Sequence, residues 1–280
     1  MAVKIVTDST SDITSDLAQK LGITVVPLTV SFGHESFLDR VDITTDEFYR
    51  RLAKESAFPT TTQPAPGAFI EVYDRLAKET DEILTIVISS KLSGTYQSAT
   101  NAKNMVGNKC HIEVIDSAKV AMGLGLIVIA AAEAAQSGAS LDEVMAAVNT
   151  RIPRSHLVIY FETLQYLAKG GRIGKAKGLL GAMLSIKQIL TLKDGEIAPL
   201  TQRRSKAAGM EYMHSFVARF PKIEKLAVEY CTTPEDIDKL AELLSPLFPK
   251  EQIYQSTVSP VLGAYAGPGA LAVSVLEAGE

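Results

Sequence analysis

Histidine and cysteine are scarce in this chain of 280 residues: His34, His111, His156 and His214 are scattered, and Cys110 and Cys231 stand far apart. No metal-ligand spacing is present. Without a C-x-x-C pair or a disulfide framework, the cysteines predict a reducing, cytoplasmic setting. Basic excess is also missing, with 28 Lys and Arg against 32 Asp and Glu and a formal net charge of -4. That balance gives no electrostatic footprint for DNA or RNA. The most apolar run, Leu124 to Ala132, is too short to span a bilayer, so stable membrane insertion is not expected. Met1-Ala2-Val3-Lys4 leads straight into strand-like Ile5-Val6, with no leader pattern. Nor is there a G-x-S-x-G elbow, or a G-x-G-x-x-G after a strand, which argues against a hydrolase nucleophile and a dinucleotide.

Against those gaps stands a central stretch. Ile83 to Ile88 is a run of apolar and β-branched residues, the pattern of a strand buried on both faces. It runs into Ser89-Ser90-Lys91-Leu92-Ser93-Gly94-Thr95, where a helix should begin. Helix starts leave N–H groups unpaired and favour anions, and Gly94, lacking a side chain, would let a ligand approach the backbone. A plain serine cap satisfies the same residues equally well.

Two further strands end alike: Val3–Thr7 in Asp8-Ser9-Thr10-Ser11-Asp12, and His111–Ile115 in Asp116-Ser117. In open parallel sheets ligands sit beyond the carboxyl ends of the strands, so the recurrence points to one shared site. Thr24–Phe32 alternates like a single strand, and Thr44 and Ser140 open capping boxes with Glu47 and Glu143. Pro59-Thr60-Thr61-Thr62-Gln63-Pro64 reads as a stiff extended loop without regular structure, with its donors free to face a ligand or to serve as a linker. Gly123–Ser137 reads as a buried helix.

The length favours two domains, and composition shifts near Pro153, dividing the chain into 1–153 and 154–280. In the second part Arg172, Lys175 and Lys177 form a basic turn, Gln188–Leu192 and Glu196–Leu200 a hairpin around Asp194-Gly195, and Leu271–Leu276 the strand that closes the sheet. Asp8, Asp12 and Asp116 could together hold Mg²⁺ for phosphoryl transfer, or could each hold a turn. Many neutral donors, few cations and no catalytic base suit holding an anionic head group better than transforming it.

Taken in order, these motifs resemble the DegV family of fatty-acid-binding proteins over the whole chain. The carriers are Asp8-Ser9-Thr10-Ser11-Asp12, Thr61-Thr62-Gln63-Pro64, Leu92-Ser93-Gly94-Thr95-Tyr96-Gln97-Ser98-Ala99, Asp116-Ser117 with Gly123 and Gly125, the run Leu164 to Ile173, and Gly267-Pro268-Gly269. The resemblance implies an α/β fold: an N-terminal three-layer α/β/α domain with a parallel sheet and the head-group site, and a C-terminal two-layer α/β domain with a mixed sheet covering the acyl chain. It implies a non-enzymatic carrier with no cofactor. A long-chain fatty acid would lie in a buried apolar tunnel, its carboxylate held by Thr61 or Thr62, Ser93 and the N–H of Gly94, supported by Arg172. Tyr265 stands where the family often has histidine, and Gln188 stands in place of its K-P-I-L proline. The implied partner is the catalytic subunit of a fatty acid kinase, which would make acyl phosphate, with Arg203 and Arg204 as candidate contacts.

Overall fold

The structure, a computed structural model, describes residues 2–55, 57–107, 109–180 and 186–279. The first half runs β1 (Lys4–Asp8), α1 (Ser15–Leu21), β2 (Ile23–Val26), β3 (Thr29–Phe32), β4 (Glu35–Leu38), α2 (Thr45–Lys54), β5 (Thr60–Thr62), α3 (Pro66–Leu76), β6 (Glu82–Val87), α4 (Thr95–Val106), β7 (His111–Asp116), α5 (Met122–Gln136) and α6 (Leu141–Arg151). A 3-10 turn over Ile152–Arg154 leads into the second half. It comprises β8 (Ser155–Phe161), α7 (Gln165–Lys169), β9 (Lys187–Lys193), β10 (Glu196–Arg203), α8 (Lys206–Val217), β11 (Ile223–Tyr230), α9 (Pro234–Leu244), β12 (Tyr254–Thr257), α10 (Pro260–Ala266) and β13 (Leu271–Glu277).

The first sheet is parallel, in the order β2-β1-β6-β7. Its strands need crossover connections, and the helices cover both faces. Phe69 and Tyr73 of α3 and Ala99 and Ala102 of α4 pack on one side, α5 on the other. The second sheet is mixed, in the order β10-β9-β8-β13-β11-β12. Helices α8 and α9 pack on one face through Met213, Val217, Leu240 and Leu244. Its other face meets α5, which is buried nearly all round and touches β1 as well as β8, β11 and β13. An apolar helix without a polar face belongs inside a molecule, and here it is the wall the two halves share. β13 does not close the second sheet at an edge: it lies between β8 and β11, near the middle.

Two local expectations are corrected. Thr24–Phe32 is not one strand. Pro27, which has no N–H to give to a ladder, interrupts it, so β2 stays in the parallel sheet while β3 joins a separate antiparallel sheet β4-β3-β5. The threonine segment is not free of regular structure either, because Thr60–Thr62 pairs with β3 as an edge strand between Pro59 and Pro64. The Ser140–Glu143 capping box forms in full. At α2 only half forms: the Thr44 hydroxyl accepts the Glu47 N–H, while the Glu47 carboxylate pairs with Arg50.

Candidate functional site

Between β1 and β6 the strand order reverses direction, which makes the gap beyond their carboxyl ends the switch point of the sheet. The turns there are tied to each other. Asp8 accepts the N–H of Thr10 at 2.9 Å, the Thr10 hydroxyl at 2.5 Å and the N–H of Ile88 at 2.8 Å, binding the ends of β1 and β6 together. The Ser117 hydroxyl donates to the Val87 carbonyl at 2.7 Å, and Asp116 accepts the N–H groups of Ser90 and Ala118 at 3.2 and 2.9 Å. The three hydroxyl-rich turns therefore form one rim, with their carboxylates engaged by backbone. Asp12 is directed elsewhere, toward Ser259 and Arg40. Among the described residues no group of three or more His, Cys, Asp or Glu is placed to hold a metal. Asp8 and Asp116 hold their turns, as the alternative reading had it, whereas the Asp12 carboxylate does not.

Above this rim the second half lays the inner face of its sheet and α10, enclosing a cavity of about 870 Å³ of space free of protein atoms, part of it open to solvent. From the first half the lining comprises Thr10, Leu28, Ile88, Leu92, Val120 and Ala121. From the second come Ile159 and Phe161 of β8, Leu167, Ile197, Leu271, Ala272 and one side of α10. Ile159 and Phe161 are two apart, so the strand's period puts both on one face. The Val120 segment is held in place by two non-glycine residues at positive φ, Ala118 at 51° and Ala121 at 57°. The Ala121 N–H donates to the Thr10 carbonyl at 2.9 Å, and the Ser89 N–H to the Lys119 carbonyl at 2.9 Å.

Polar groups gather at one part of this lining. Thr61, Gln63, Ser93, Arg172 and Tyr265 all face the cavity. The Thr61 and Tyr265 hydroxyls hydrogen-bond to each other. Ser93 shares a hydrogen bond with the Thr95 hydroxyl at 2.8 Å and accepts the Thr95 N–H at 3.3 Å, so it also serves as the turn's own cap. The Arg172 guanidinium lies 5.3 Å above the Tyr265 ring and donates to the carbonyls of Leu92 at 3.2 Å and Gly170 at 2.9 Å. Tyr265 fits because residue 170 is glycine: a Cβ there would fall 2.4 Å from two ring carbons.

Two expected head-group residues are placed differently. Thr62 is exposed, because alternation along β5 puts it opposite Thr61, which shares the buried side with Val30. Gly94 lies at the start of α4, but the space above it is taken by Gln63, whose Nε2 would be 2.7 Å from an added Cβ. Gln63, one of the loop donors expected to be free to face a ligand, lines the cavity, and Thr10 takes a lining place that was not assigned to it from the sequence. The apolar walls had no signal of their own, since a residue facing a cavity and one facing a core look alike in sequence. Leu126–Ala135 of α5 packs into the core between the sheets. Arg203 lies 4.6 Å over the Tyr212 ring and donates to Thr201, and Arg204 is exposed.

The model of the DegV family of uncharacterised proteins matches residues 2–278. A DegV domain-containing protein of Caldanaerobacter subterraneus subsp. tengcongensis is 38% identical over 275 residues, covering 97% of each chain. Among solved structures, a DegV family protein from Thermus thermophilus described for its fatty acid binding superposes with a TM-score of 0.91 at 31% identity, covering 99% of this chain and 100% of that one. DegV of Bacillus subtilis, described as a fatty acid binding protein, superposes with a TM-score of 0.88 at 27% identity, covering 99% of this chain and 100% of that one. With a family model spanning nearly all of its length and a relative of such identity end to end, the chain belongs to the DegV family.

Proposed function

We propose that the protein binds a long-chain fatty acid in the cavity between its halves and presents the carboxylate to a partner kinase for acyl phosphate formation. The observation that carries this is the division of the lining: apolar walls from both halves, with neutral donors and a single cation gathered where Thr61, Ser93, Tyr265 and Arg172 meet. The fatty acid binding described for the Thermus and Bacillus relatives supports it. About fourteen buried methylenes would contribute roughly 11 kcal/mol gross at about 0.8 kcal/mol each. A neutral hydrogen bond contributes about 1 kcal/mol net. Affinity therefore comes from the apolar walls, and the hydroxyls set which end points outward.

The head group would take up the Thr61 and Tyr265 hydroxyls, which hydrogen-bond to each other, together with Ser93. Arg172 would add the charge. A phenol can donate a hydrogen bond to a carboxylate while remaining neutral. In this reading the phosphoryl chemistry falls to the partner, with exposed Arg204 and neighbouring Arg203 as its contacts. Native mass spectrometry of the gently purified protein should show the added mass of a fatty acid. An unliganded mass that stays unchanged when palmitate or oleate is titrated in would remove the proposal.

A further inference from the structure

Behind the cavity wall lies a buried charge cluster for which fatty-acid binding has no use. Asp12 follows the turn after β1 in the first half, Glu229 lies on β11 in the second, and both side chains are fully buried. Asp12 Oδ1 accepts the Ser259 N–H at 3.1 Å and lies 3.5 Å from Arg40 Nη2. Both Oε atoms of Glu229 lie 3.1 Å from the backbone nitrogen of Met122 and accept its N–H, the first of α5. Glu229 pairs across the sheet with Ser256 of β12, whose hydroxyl reaches the Asp12 carbonyl, so the two buried carboxyl groups are brought close together. Among the described residues Asp12 Oδ2 has no hydrogen-bond donor. Two buried carboxyls held close together and served by one guanidinium are not both ionised.

We propose that Asp12 and Glu229 hold one proton between them, and that this proton clasps the two halves of the molecule together around the cavity. Each attachment is one or two residues from the wall: Asp12 from Thr10, Met122 from Ala121, Ser259 from Val258. The Ser256 hydroxyl donates to the Asp12 carbonyl at 2.5 Å, and Arg40 donates to the Thr257 carbonyl, so β12 is drawn into the same contact. The other titratable groups facing the pair are Asp8 at the end of β1, Asp39 beside Arg40, Tyr49 of α2 and Cys231 just past β11. Burial pushes the Cys231 thiol up to about 12 and the Tyr49 phenol well above its usual value, so both are neutral near pH 7. Burial pushes Asp39 up to about 7, against the lowering effect of the Ser9 hydroxyl, and raises Asp8.

Burial raises Asp12 above the ordinary carboxyl range, and burial followed by the nearness of Asp12 raises Glu229 well above it. The closed form thus keeps a proton that the separated, hydrated carboxyls would release. Above the ordinary carboxyl range, raising the pH toward the raised titration of the closed form favours opening, by up to about tenfold per pH unit for one proton. The clasp does not depend on what fills the cavity. Only its consequence, faster ligand release at higher pH, rests on the fatty-acid reading.

Hydrogen exchange at the Met122 amide of the ligand-free protein, corrected for the intrinsic rate, tests it between pH 6 and pH 8. Protection in the wild type should fall at least fivefold. Glu229→Gln can donate to Asp12 and accept from Met122 with no proton to lose, and should change less than twofold. This variant retains Asp8 and Asp39, so their titration cancels in the comparison. Equal pH responses in the two proteins overturn the clasp. Constant wild-type protection overturns it too, and decides the matter even if the variant does not fold. A pH response in a protein that takes up no fatty acid would leave the clasp standing and remove the function proposed above.

Discussion

The Thr61–Tyr265 pair sets what a single side chain can change here. Replacing Tyr265 by Phe removes one hydroxyl and leaves Thr61 facing the cavity without its present partner. The expected loss of fatty-acid affinity is about 1–2 kcal/mol, measured by titration with a fluorescent fatty acid. Ser93→Ala should lose a similar amount, about 1–2 kcal/mol. If its affinity equals that of the wild type, Ser93 acts only on Thr95 and the turn. Thr61 and Ser93 stood out because each sits in a short polar motif, whereas Tyr265, between two alanines, stood out only through the resemblance. Which threonine faces inward was not legible, since that depends on the pairing of Val30 with Thr61 across an edge strand the prolines seemed to forbid. Glu229 gave no functional signal either: its reason for being buried lies at Asp12, more than two hundred positions away.

Among the elements, α5 has the least freedom to change. Its sequence announced a buried helix, but not that it would touch both sheets, because apolarity all round carries no record of what lies on each side. Its packing leaves no room at Gly125, where an added Cβ would come 2.5 Å from the Ser11 carbonyl oxygen and 2.8 Å from the Met122 sulfur. Backbone on one side cannot give way, so Gly125→Ala should destabilise the protein by about 2 kcal/mol. A lowered urea midpoint with unchanged slope would show it; an unaltered midpoint would mean that α5 can shift. The β9–β10 hairpin is equally specific at its tip. Asp194 and Gly195 both have positive φ, at 56° and 78°, as a tight two-residue turn requires. The Gly195 carbonyl accepts the Ser89 hydroxyl at 2.8 Å, pinning the hairpin to the opposite half. The hairpin was legible from Asp-Gly, whereas its docking partner had no local cue.

At the scale of the molecule, the two-part α/β plan could be read because strand, turn and cap signals are local. The small β4-β3-β5 sheet could not, as its pairings join segments that read as one strand and a loop. Sharing α5, the clasp and the cavity should make the halves unfold as one unit. Thermal or urea unfolding is expected to show a single transition that fatty acid shifts upward, by about 2.7 kcal/mol at a free concentration one hundred times Kd. Two separate transitions, or a ligand effect on one alone, would contradict that coupling.

The placement of β13 between β8 and β11 also bears on how the molecule is made. Until residues 271–277 leave the ribosome, those two strands have no neighbour between them and expose unpaired edges. Leu271 and Ala272, which complete the cavity wall, arrive in the same step. A nascent chain is thus open to mispairing from the emergence of β8 until β13 follows, and its cavity wall cannot be completed before then.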